Sequence, residues 1–120
     1  MAPAAYNLCV LEAETSPAGA LEWCRQAVAS RPREPRYAFT LAFYQLQAGQ
    51  TDSAIAVLRK LAATSPDYID GQMLLAQLLE SRGETQAVVT VYQKILRSGT
   101  LSPSDRRAVQ LRLAALSPHP

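Results

Sequence analysis

The chain has 120 residues, 48% of them hydrophobic and 18% charged, which suits one compact domain and is too apolar for a disordered segment. Twelve basic and ten acidic side chains leave a net charge of only +2, too little to neutralise the phosphates of a nucleic-acid partner. No run approaches the roughly 20 apolar residues of a membrane span, and Met1-Ala-Pro-Ala-Ala lacks the basic head and apolar core of a signal peptide. The expectation is a soluble protein, cytoplasmic by default, with neither nucleic acid nor membrane as partner.

In chain order the pattern predicts seven helices. The first, about 4–14, carries Tyr6-Asn-Leu-Cys9. The second, about 17–30, holds Ala20, Cys24 and Ala27 four and three residues apart, one stripe on a helix. Cys9 and Cys24 have neither the spacing of a metal site nor the number for a disulfide framework, and read as small buried apolar residues. The third helix, 35–48, opens at Pro35 and is followed by Gly49, suited to the left-handed turn beyond a helix end. Thr51 or Asp52 is expected to cap a fourth, 51–64, which stops before Ser65-Pro66 because a residue ahead of proline avoids helical backbone.

A fifth helix, 69–82, ends at Gly83 in the same manner. The sixth, 84–98, carries Val88, Tyr92 and Ile95 as its stripe, and Ser98-Gly99-Thr100-Leu101 lengthens the loop that follows. Ser102-Pro103-Ser104-Asp105 reads as an N-cap, a proline at the first helical position and a carboxylate in the first turn. It starts a seventh helix, 103–116, with Val109, Leu113 and Leu116 inward and Arg106, Arg107 and Arg112 on other faces. The Ser-Pro-His-Pro tail, 117–120, is expected to be disordered.

The chain also repeats itself. Ala20, Cys24, Ala27 and Pro32 fall onto Ala54, Leu58, Leu61 and Pro66, each 34 positions on; Leu41, Ala42 and Gly49 fall onto Leu75, Ala76 and Gly83 by the same shift. The period therefore spans a helical hairpin, in units of about 1–34, 35–68 and 69–100. One hairpin cannot cover its own stripe, so stacking on a neighbour buries it.

These residues resemble the tetratricopeptide repeat family, whose unit carries Leu-Gly in its first helix, then Ala-x-x-x-Phe and a terminal Pro. Leu41-Ala42 and Leu75-Ala76 correspond to the first pair, and Ala54-x-x-x-Leu58 with Pro66 to the second half. Ala38 and Gln72 sit where an aromatic is common, and Gln45 and Leu79 replace the usual Tyr. Tyr6-Asn-Leu-Cys9 fits once one residue is deleted before Ala20. The resemblance, over 6–116, implies an all-α fold: an α-α superhelix, or solenoid, of three hairpins and a C-terminal capping helix, forming one domain over 1–116.

Little in the chain suits catalysis. His119 is the only histidine and lies in the tail, and neither cysteine has an activating histidine nearby in sequence. There is no Cys-x-x-Cys or His pair, the carboxylates are scattered, and the glycines are too dispersed for a phosphate loop. The expectation is no enzyme, no catalytic residue, no metal and no cofactor.

The informative surface is Arg36-Tyr-Ala-Phe-Thr-Leu-Ala-Phe-Tyr-Gln-Leu-Gln47. At about 100° per residue, Ala38, Leu41, Ala42 and Gln45 point into the hairpin. Phe39, Phe43 and Leu46 point elsewhere, flanked by Arg36 and Gln47. The family resemblance implies that this face lines a concave peptide groove, to which the third unit adds Asp70, Met73, Gln77 and Glu80. Arg at one end and acids at the other would orient a ligand of mixed charge. Otherwise, Phe39 and Phe43 simply pack between repeats.

The Lys, Asn and Arg clamp with which some family members hold the acidic tails of heat-shock chaperones is absent. Ala5 or Tyr6, Cys9 or Val10, Thr40, Asp70 and Leu74 stand at its five places. The expected function is a module that holds a peptide or partner protein in a partly apolar groove. The alternatives are self-association into a homo-oligomer, or an accessory domain of a larger enzyme or cytochrome.

Overall fold

The computed structural model describes residues 2–99 and 101–116, with the side chains of Ala2 and Pro3 left aside. All regular elements among them are helical: α1 (Ala2–Glu12), α2 (Pro17–Ser30), α3 (Pro35–Gln47), α4 (Thr51–Thr64), α5 (Ile69–Ser81), α6 (Thr85–Arg97) and α7 (Pro103–Leu116). Thr100 and the 117–120 tail lie outside the described residues.

Helix bounds agree with the sequence pattern to within a residue except at α1, which sits two residues earlier at both ends. Ser16 N–H donates to Glu12 O at 2.7 Å, closing a turn over Ala13–Thr15, and Pro17 then begins α2 with no N–H to lose.

The helices form two compact units, Met1–Ser65 and Pro66–Pro120. In the first, α1 packs on α2, α2 on α3, and α3 on α4. Its core holds Ala20, Leu21, Cys24 and Ala27 of α2 with Tyr37, Leu41 and Ala42 of α3 and Ala54, Leu58 and Leu61 of α4, all buried. In the second, α5 packs on α6 and α6 on α7. Leu75, Ala76 and Leu79 are buried there with Val88, Tyr92 and Ile95, and α7 adds Val109. Leu113 and Leu116 are half-buried. The expected stripes are therefore the ones that pack.

Cys9 and Cys24 are as buried as expected, but they are not two separate thiols. Their sulfurs are bonded, with the Cα atoms 5.0 Å apart, inside the spacing of about 4.4–6.8 Å that a disulfide requires. The pairing follows from the packing of α1 on α2, which no local motif announces.

Gly49 and Gly83 adopt φ of 80° and 75°. Gly49 N–H donates to Leu46 O and Gln50 N–H to Gln45 O; Gly83 to Glu80 and Glu84 to Leu79 repeat the pattern. These paired bonds satisfy carbonyls that the helix end would orphan. They also correct the expected cap of α4. The chain leaves the turn at Gln50, which occupies the N-cap position without a side-chain cap bond, so Thr51 and Asp52 already lie in the first helical turn. Asp52 is well placed there against the helix dipole.

The cap of α7 is the one expected: Asp105 N–H donates to Ser102 Oγ at 3.2 Å. Arg106, expected on an outer face, is instead half-buried. Its guanidinium donates to Leu96 O at 2.8 Å and Ser98 O at 3.2 Å, meeting carbonyls left open where α6 ends.

Candidate functional site

The site grows from the division of α3 into two faces. Tyr37, Leu41, Ala42 and Gln45 are buried in the first unit, and with that face committed to packing, the side chains between them must point away. Phe43 is accordingly 44% exposed, and Phe39 is half-buried.

Helix α1 meets this face through Tyr6, whose ring stacks on Tyr37 with centroids 4.7 Å apart. The Tyr6 hydroxyl lies 3.4 Å from Thr40 Oγ1. Between the two helices opens a cleft of about 310 Å³, lined by Tyr6 and Val10 of α1 and Phe39, Thr40, Phe43 and Tyr44 of α3. Val10 is 40% exposed. Phe43 and Tyr44 meet edge to face at 5.6 Å. The walls are aromatic and aliphatic, and their polar groups are hydroxyls, so the cleft suits apolar side chains rather than a reacting group.

Of the residues singled out from sequence, Phe39 and Phe43 come together here. Leu46 is half-buried, and Arg36 and Gln47 are exposed on α3, but none of the three lines this cleft. In the second unit, Gln77 and Glu80 line a separate cleft of about 270 Å³ with Ser81 and Arg112. Asp70, exposed, and Met73, half-buried, stand on the same helix without lining it.

Glu80 is not the open acidic end pictured for a ligand. Both its oxygens accept from Arg112 Nη2 at 2.6 Å, and hydrogen bonding to Glu80 holds the Arg112 guanidinium above the ordinary arginine range. Long side chains on α5 and α7 find each other across the unit, which face assignment helix by helix cannot foresee.

The α1 half of the cleft, Tyr6 and Val10, is absent from the sequence-based site, as are Thr40 and Tyr44. A signal for the first two existed. With one residue deleted before Ala20, Tyr6 becomes the counterpart of Phe39 and Val10 of Phe43.

Among the described residues, no group of three or more His, Cys, Asp or Glu could hold a metal ion. No described helix is long and apolar enough to cross a membrane.

A family model described as tetratricopeptide repeat matches residues 11–78 and 45–115. No curated protein sequence matches the chain. Among solved structures, the type III secretion translocator chaperone SycD of Yersinia enterocolitica is similar, with a TM-score of 0.76 at 16% identity over 95% of this chain and 81% of that one. SycD in complex with a peptide of the translocator YopD is similar too, with a TM-score of 0.77 at 16% identity over 95% of this chain and 90% of the other. At that identity the likeness concerns the fold.

Proposed function

The chain belongs to the tetratricopeptide repeat family, and from that premise we propose that it is a protein-interaction module whose cleft between α1 and α3 holds an apolar segment of a partner protein or peptide. The observation that carries this reading is the exposure of Phe43 and Val10 around one cleft. An aromatic left in water represents burial still available to a partner. The similarity to a fold solved with a bound peptide supports the same reading. On this view the chain binds rather than catalyses, and needs no cofactor.

Self-association is the second reading. It is favoured by Leu11, next to Val10 on α1 and 71% exposed.

The test is the double variant Phe39→Ala with Phe43→Ala. Peptides are selected from a random displayed library on the wild-type protein and then titrated against both forms. Truncating an apolar anchor at an interface centre costs about 2 kcal/mol, roughly a thirtyfold loss of affinity, while the helical circular-dichroism signal and most of the melting temperature remain. A collapsed melt without a separable binding defect returns both residues to the core and refutes the reading. Sedimentation at several concentrations decides between a foreign partner and a second copy.

A further inference from the structure

The first unit contains another cavity, away from the cleft and independent of the proposed partner. It has a volume of about 180 Å³ and is walled by Val28 of α2, Ala38 and Leu41 of α3, and Val57 and Leu61 of α4. It reaches the buried core, since Leu41 and Leu61 are only 5% and 3% exposed. Pro32, Lys60 and Thr64 complete the wall, and Lys60 is exposed to solvent. The Thr64 hydroxyl turns back on its own helix, donating to Lys60 O at 3.1 Å, so it offers the cavity little polarity.

Ala38, whose side chain ends at Cβ, is one of the cavity's walls. One repeat later the matching position is Gln72, which is buried and donates through Nε2 to Pro66 O. A long buried side chain thus stands there at the repeat position that Ala38 holds in the first unit. An apolar cavity of about 150 Å³ is enough to admit benzene in a folded protein, and this one is of that size with aliphatic walls.

We propose that the Ala38 cavity is a binding site for a small aromatic acid, its single ring held among Val28, Leu41, Val57 and Leu61 and its carboxylate directed to the Lys60 ammonium. The ring gains from leaving water. The exposed cation selects an acid over a neutral analogue, as exposed charge pairs do, by a modest factor.

Phenylacetate and toluene are the probes, followed by methyl and amide NMR on the intact chain. The expected result is saturable shifts confined to Val28, Leu41, Val57 and Leu61, with phenylacetate the tighter ligand. Ala38→Trp fills the space with the protein's own ring and should weaken both probes at least about tenfold. Lys60→Met should weaken phenylacetate by about threefold to fivefold and leave toluene unchanged. Should Ala38→Trp fail to fold, Ala38→Leu serves the same purpose, and the shift map on the wild-type chain stands regardless. Absence of saturable shifts with both probes, or undiminished binding to a folded Ala38 variant, overturns the site. Toluene binding as tightly as phenylacetate overturns the choice of an acid.

Discussion

The ring of Tyr6 lies parallel to that of Tyr37 within 18°, with centroids 4.7 Å apart, so α1 is fastened to α3 by an aromatic stack between a residue that lines the cleft and one that is buried. Stacked pairs contribute about 0.5–1.5 kcal/mol beyond the area they bury. A double-mutant cycle of Tyr6→Leu and Tyr37→Leu, followed by urea unfolding, should return a coupling energy of about 1 kcal/mol. A cycle that closes to zero would mean the rings are neighbours without mutual stabilisation.

The Cys9–Cys24 bond closes a loop with a sequence separation of 15, and a loop near that size stabilises by about 3 kcal/mol when closed. Cys9→Ala with Cys24→Ala should lower unfolding free energy by about that amount. Because the two residues are 0% and 1% exposed, native protein should resist both thiol-reactive dyes and mild reductant. Prompt labelling of the folded protein would show that the pair is reduced.

At Gly49 and Gly83 an added Cβ would meet nothing within 4 Å, so backbone conformation alone sets the effect of substitution. Gly49→Ala or Gly83→Ala should destabilise by about 1–2 kcal/mol, the cost of left-handed backbone in an L-residue. Asn at either position should lose less, since it tolerates that conformation better. Equal losses for Ala and Asn would locate the cause elsewhere.

Two arginines of α7 should behave differently although both are paired. Arg106 is half-buried and meets carbonyls at the end of α6; Arg106→Ala should cost about 1–2 kcal/mol, with little dependence on salt. Arg112 holds Glu80 in the open, and Arg112→Ala should barely move the melting curve, the small effect fading as salt rises. Thermal melts at low and high ionic strength separate the two cases.

The contrast also marks how far sequence reading reaches. Stripes such as Ala54, Leu58 and Leu61, and turn glycines such as Gly49, act within one or two helical turns, so their placement was legible. The inward Leu41, Ala42 and Gln45 of α3 were legible for the same reason, whereas Tyr37 is buried and Ala38, expected inward, is half-buried. The cystine, the Arg106 contacts and the Arg112–Glu80 pair join different helices, and long side chains or packing choose those partners after the backbone is in place. The α1 half of the cleft lay between these cases, visible once a one-residue shift in register was carried through to Tyr6 and Val10.

Trp23 is the chain's one tryptophan; its indole N–H donates to Glu12 Oε2 at 2.5 Å, and its ring packs against the buried residues around Cys9 and Cys24. Its emission therefore follows the first compact unit alone, whereas far-ultraviolet dichroism follows every helix. Superimposed unfolding curves from the two signals would mean that both units melt as one cooperative body. Curves that part would resolve the stability of each unit, with no label attached to either.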